Sequence, residues 1–134
     1  MAENFEIPDA VKSESTLLTL FIPSVDRDSQ PIDQVKWENT TLEMLGSCFN
    51  GATAFPKGRG VWRDDQQAGK LIFDETIVVH CYTNLEALEK HRNALREFLN
   101  RLGVEGNQGA VGLVIDRTYL EIRFPRSAGE APHG

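Results

Sequence analysis

Between residues 51 and 65 the chain reads GATAFPKGRGVWRDD, and three of its side chains suit molecular recognition. Arg59 and Arg63 present planar forks of permanent charge, and Trp62 a broad ring on which a flat or anionic molecule can stack. Gly58 and Gly60 flank Arg59 and let another molecule approach the backbone closely. Lys57, a flexible and strongly hydrated point charge, is expected to be replaceable. The G-x-G is not a phosphate cradle. Such cradles set their glycines between a strand and a helix, so that backbone amides and a helix N-terminus face the phosphate. Here the glycines follow a helical stretch and precede a strand, and no GK[ST] is present. The competing reading has Trp62 packed on the first helix and the arginines solvated.

Two polar segments join this stretch as candidates. PSVDRDSQPID places Asp26, Arg27 and Asp28 in one connection, and EGNQG places Asn107 and Gln108 in another as amide donors. The expected topology brings both to the same end as the 64–70 turn, so Asp26, Asp28, Asp64, Asp65 and Glu105 can converge. Clustered carboxylates suit a hard cation, but D-x-D in a turn ordinarily bonds its own backbone, and no metal ligand set is assigned. His80 and Tyr82 complete the candidates, on the open face of a sheet. Nucleophilic catalysis has no support, because neither G-x-S-x-G nor a Ser-His-Asp or Cys-His setting is present. Cys81 follows His80, but neighbouring strand residues point to opposite faces. Cys48 and Cys81 make neither a metal spacing nor a disulfide framework and read as small hydrophobes.

The elements that must hold these residues follow from periodicity and punctuation. STLLTLFIP, 15–23, is β-rich and stops at a proline. The next stretch starts at Pro31 and ends at Gly51, with Ile32, Val35, Leu42, Leu45 and Phe49 on one helical stripe. GVWRDD and KLIFDETIVVHCYT flank QQAG as a hairpin, leaving the residues before Gly60 as loop. A second helix is expected over 84–102, the longest in the chain, capped by Thr83 with Glu86 and closed by Gly103. Its stripe is Leu85, Leu88, Leu95, Phe98 and Leu102. AVGLVI and TYLEIRF then pair across Asp116-Arg117. The order β-α-β-β-α-β-β implies an α+β ferredoxin-like sandwich with antiparallel sheet order 2-3-1-4-5 and two helices on one face. Residues 15–124 form that single domain, between an N-terminal arm, 1–14, and a C-terminal tail, 125–134, both expected to be flexible.

Alternation in the long strand sets Leu71, Phe73, Ile77, Val79 and Cys81 under the helices. Ile72, Asp74, Thr76, Val78, His80 and Tyr82 face the other way, as do Tyr119, Glu121 and Arg123. Leu120, Ile122 and Phe124 point inward. Glu75 breaks the apolar face, and a bulge is expected to turn it outward. The mixed open face predicts a homodimer, since a single chain rarely leaves a large apolar patch wet. A formal net charge of -6 argues against nucleic acid. No apolar run reaches the ~18 residues of a membrane span, and the acidic start is unlike a signal peptide, so a cytoplasmic location is expected.

The series PSVDRD, FNGAT, GRGVWRDD, FDET and GNQGAV resembles a family of small bacterial proteins of unknown function, over residues 16–124. The resemblance implies a self-contained domain and carries over no catalytic residue. The function expected is a non-catalytic, homodimeric accessory or regulatory domain binding a protein partner or a small ligand, without a cofactor. The alternative is a small-molecule enzyme of the dimeric α+β-barrel type, with its site at the open sheet face.

Overall fold

The computed structural model describes residues 5–126; the first four residues of the expected arm, and 127–134 of the expected tail, lie outside the described residues. Five strands form one antiparallel sheet in the order β2-β3-β1-β4-β5, a ferredoxin-like α+β sandwich. In chain order they are β1 (Thr16–Ile22), β2 (Thr53–Asp64), β3 (Lys70–Thr83), β4 (Ala110–Ile115) and β5 (Thr118–Arg123). Helices α1 (Gln34–Phe49), α2 (Leu85–Lys90) and α3 (Arg92–Glu105) cover one face. Among the described residues no helix is long and apolar enough to cross a membrane.

The core lies between that face and the helices. Leu18, Leu20 and Ile22 of β1, Ile77, Val79 and Cys81 of β3, and Val111 and Leu113 of β4 alternate towards it. From α1 the buried residues are Gln34, Trp37, Thr41, Leu45 and Phe49. This stripe is rotated from the expected one, and Val35 is exposed. Two polar solutions make the rotation possible. The Thr41 hydroxyl donates to the Trp37 carbonyl at 2.6 Å, so a β-branched residue sits in the helix without an unpaired oxygen. Gln34 donates from Nε2 to the carbonyls of Ile22 and Glu75.

The expected 84–102 helix is broken at His91, so the described residues hold three α-helices, and α1, at 16 residues, is longer than α3, at 14. The N-cap is Asn84, whose side chain accepts from the Ala87 amide, and not Thr83. Gly103 lies inside α3 with Phe124 against it, and Gly106 ends the helix. Leu85 is exposed, while Leu95, Phe98, Leu99 and Leu102 are buried.

Strand β2 is the largest departure. It begins at Thr53, so the expected loop is strand, interrupted by a register shift between Phe55 and Gly58. Beyond that bulge β2 and β3 run on as an arm past the helices. Leu71 and Phe73, expected in the core, therefore stay 56% and 57% exposed, while Ile72 is 1% exposed. Glu75 is exposed, as expected, with Lys57 at 4.0 Å; the bulge lies on the partner strand.

Arg27 fastens the tip of the arm. Its guanidinium donates to the Phe124 carbonyl at 2.6 Å and to Gln66 Oε1 at 2.9 Å. Its amide donates to the Asn107 carbonyl, and its own carbonyl accepts from Gln67 Nε2. Arg126 pairs with Asp28 beside it, and Asp64 is held by Gln67. Arg27→Met is predicted to cost about 3 kcal/mol, since it removes both guanidinium bonds, to the Phe124 carbonyl and to Gln66, that hold the arm tip. Urea denaturation checks this, and a loss below about 0.5 kcal/mol, the size of an ordinary surface change, would contradict it.

Candidate functional site

The open face of the sheet is shaped by where its small residues fall. On β2, Gly58, Gly60 and Trp62 stand opposite Thr76, Asp74 and Ile72 of β3. On β4, Ala110 and Gly112 share this face. Side chains are missing from the floor where the arm and β4 approach each other, and a cleft of about 280 Å³ results. Phe21, Trp62 and Tyr119 form its aromatic walls, with Asp74, Gln108 and Glu121 among its polar lining. Gly112 lets the Tyr119 ring lie over β4 there. A Cβ on it would lie 2.3 Å from the Tyr119 hydroxyl oxygen. Trp62 closes the end of the cleft against Gly109, whose ideal Cβ would stand 3.0 Å from its ring.

The polar groups are individually held. Asp74 Oδ1 accepts from the Ser24 amide at 2.7 Å and from the Ser24 hydroxyl at 2.5 Å. Glu121 pairs with Arg123 at 2.8 Å and accepts from the Tyr119 hydroxyl at 3.2 Å. Burial, and then the Glu121 charge, push the Tyr119 phenol up, so it stays protonated and able to donate. Gln108 is buried and donates to the carbonyls of Val25 and Gly106, which fixes its amide at the cleft wall.

The residues expected from sequence divide among several places. Trp62 and Gln108 line the cleft. Arg59 and Arg63 project from the opposite face of the arm, where Arg59 lies 5.5 Å over the Phe73 ring and Arg63 pairs with Asp65. Arg27, Asp26, Asp28 and Asn107 do meet at one end of the sheet, but their side chains are engaged within the fold, Arg27 with Phe124 and Gln66. Asn107 Nδ2 donates to both Asp26 and Asp28 at 3.0 Å, and Arg126 takes the other Asp28 oxygen. His80 and Tyr82 lie at the far end of the open face, where the His80 ring meets Phe55 edge-on at 4.9 Å. They border a separate depression with Asn50, Gly51 and Thr53. Of the residues expected to make the dimer contact, Tyr82 is exposed but Ile72 is already covered within the chain. Cys81 is no nucleophile. Burial, and then the Glu14 charge, push its thiol up to about 11.

Sequence reasoning did not single out Phe21, Asp74, Gly112, Tyr119 and Glu121, which line the cleft. The available signal was the alternation of small residues on one face, Gly58 with Gly60 and Ala110 with Gly112.

No protein-family model matches the chain, and no curated protein sequence matches it. Two solved structures are similar in fold. A phage SAM lyase in complex with S-methyl-5′-thioadenosine gives a TM-score of 0.63 at 15% identity, over 89% of this chain and 97% of that one. A phage SAM lyase in the apo state gives 0.62 at 14% identity, over 91% and 99%.

Because Trp62 and Arg59 occupy opposite faces of the arm, their truncations should separate. Trp62→Ala is predicted to cost about 2 kcal/mol, as a half-buried ring, and Arg59→Ala less than about 0.5 kcal/mol. Urea denaturation of the two variants measures the difference, and equal losses would contradict the placement.

Proposed function

We propose that the chain is a small-molecule-binding domain whose ligand lies in the cleft between the β2–β3 arm and β4–β5. The observation that carries this reading is the floor of small residues, Gly60, Ala110 and Gly112, beneath aromatic walls of Phe21, Trp62 and Tyr119. A floor without side chains leaves room, and rings beside it supply contact area for a planar body. The volume, about 280 Å³, suits a compact ligand at the small end of ordinary binding pockets. The fold it shares with a protein solved with S-methyl-5′-thioadenosine makes that nucleoside the first ligand to test.

Isothermal titration of the purified protein with S-methyl-5′-thioadenosine is expected to show binding, weakened at least about tenfold by Trp62→Ala, the loss of one stacking face. Absence of heat at millimolar ligand, or unchanged affinity in Trp62→Ala, would contradict the reading. The homodimer belongs to the same proposal, formed over the far half of the open face, where Phe55 and Tyr82 are exposed. A single 15.0 kDa species in light scattering would remove it.

A second reading, catalysis at the same cleft, is favoured by the Tyr119 hydroxyl and the two carboxylates, groups able to move a proton. Incubation with SAM decides it. Enzyme-dependent release of S-methyl-5′-thioadenosine supports a lyase, and unchanged SAM leaves the binding domain.

A further inference from the structure

The cleft holds a negative charge that no described residue answers. Asp74 is 9% exposed, and its side chain lines the cleft. Both hydrogen bonds from Ser24 fall on Oδ1, and among the described residues Oδ2 meets neither a donor nor a cation. A carboxylate taken this far out of water is ordinarily paired. The other carboxylate of the lining, Glu121, is paired, through Arg123 at 2.8 Å.

Cations are also missing from the walls, since the lining residues include no lysine, arginine or histidine. The guanidinium beside the lining, Arg123, is matched by Glu121 at 2.8 Å, and Arg27, beyond Gly109, spends its donors on Phe124 and Gln66. Arg59 and Arg63 project from the other face of β2. An anionic ligand would therefore meet the Asp74 carboxylate in a cleft whose adjacent guanidinium, Arg123, is already paired with Glu121. A cation would meet an open carboxylate oxygen and aromatic rings, both of which attract it.

We infer that the cleft selects a compact organic cation carried on a planar body, with Asp74 as the residue that sets this charge specificity. The inference rests on the small-molecule reading of the cleft and adds the charge of what it takes. Asp74 acts here as a fixed counter-charge. Its bond to Ser24 holds it in place, because the same serine hydroxyl accepts from the Glu75 amide at 3.0 Å and so ties β3 to the end of β1.

Three adenosine derivatives that differ only at the 5′ position test this by titration calorimetry near neutral pH. They are 5′-amino-5′-deoxyadenosine, a cation; S-methyl-5′-thioadenosine, neutral; and adenosine 5′-monophosphate, an anion. The amine is expected to bind at least about tenfold more tightly than the thioether, and the monophosphate at least about tenfold more weakly. Asp74→Asn keeps an oxygen for Ser24 and removes the charge, and it should bring amine and thioether within about threefold of one another. Equal wild-type affinity for amine and thioether would overturn the charge assignment even if the variant failed to fold, and would leave the cleft as a nucleoside site. A preference that persists in a folded Asp74→Asn would overturn the role of Asp74. Failure of all three ligands to bind would overturn this inference together with the nucleoside reading beneath it.

Discussion

One arginine holds four stretches of this chain together. Arg27 is 5% exposed, and its side chain and backbone reach the arm tip at Gln66 and Gln67, the turn at Asn107 and the end of β5 at Phe124. A planar fork suits this task because its donors are fixed relative to one another, so each bond positions the next. Two stranded ribbons are marginal on their own in water. The arm beyond the bulge has no helix beneath it, and Leu71 and Phe73 are exposed on that side. Its position therefore depends on the docking of its tip.

The cleft is a consequence of that docking. With the tip tied beside the 106–109 turn, Trp62 is set against Gly109, and Gly60 comes to face Ala110 and Gly112 across an open floor. The glycines, excluded as a phosphate cradle by their place before a strand, thus serve a different purpose. They are consecutive same-face positions of a strand, and what they provide is the absence of a side chain. The arginine between them points away from the space they leave. The polar groups of the cleft come instead from neighbouring strands, Asp74 from β3 and Glu121 from β5, with the Tyr119 hydroxyl beside them.

Much of the architecture was legible from alternation and punctuation. The strands of β1, β4 and β5 were bounded by Pro23 and by the Asp116-Arg117 turn, and Ile77, Val79 and Cys81 were placed correctly towards the helices. Helix phase was less legible because α1 buries Gln34 and Thr41, residues whose polarity disguises the inward stripe until their hydrogen-bond partners are known. Leu71 and Phe73 misled for the opposite reason. They keep the apolar period of β3 past the point where helices cover it, and periodicity carries no information on where a covering layer ends. The site was legible only in fragments. Trp62 and Gln108 line the cleft, but the convergence of Asp26, Arg27, Asp28 and Asn107 serves to lock the arm, Asn107 bonding both aspartates and Arg27 bonding Phe124 and Gln66. Asp74 could be placed on the open face by counting. Its lack of a cation partner is a property of the assembled fold.

The chain contains two tryptophans in opposed situations, which allows the claim that the cleft is the ligand site to be read directly. Trp37 is 3% exposed in the core beneath the helices, edge-on to Phe98, while Trp62 forms a wall of the cleft. A ¹⁵N–¹H spectrum therefore holds two indole signals, one on each side of the sheet. Titration with S-methyl-5′-thioadenosine should shift the Trp62 indole progressively to saturation while that of Trp37 stays in place. A stationary Trp62 signal in the presence of bound ligand would contradict the account.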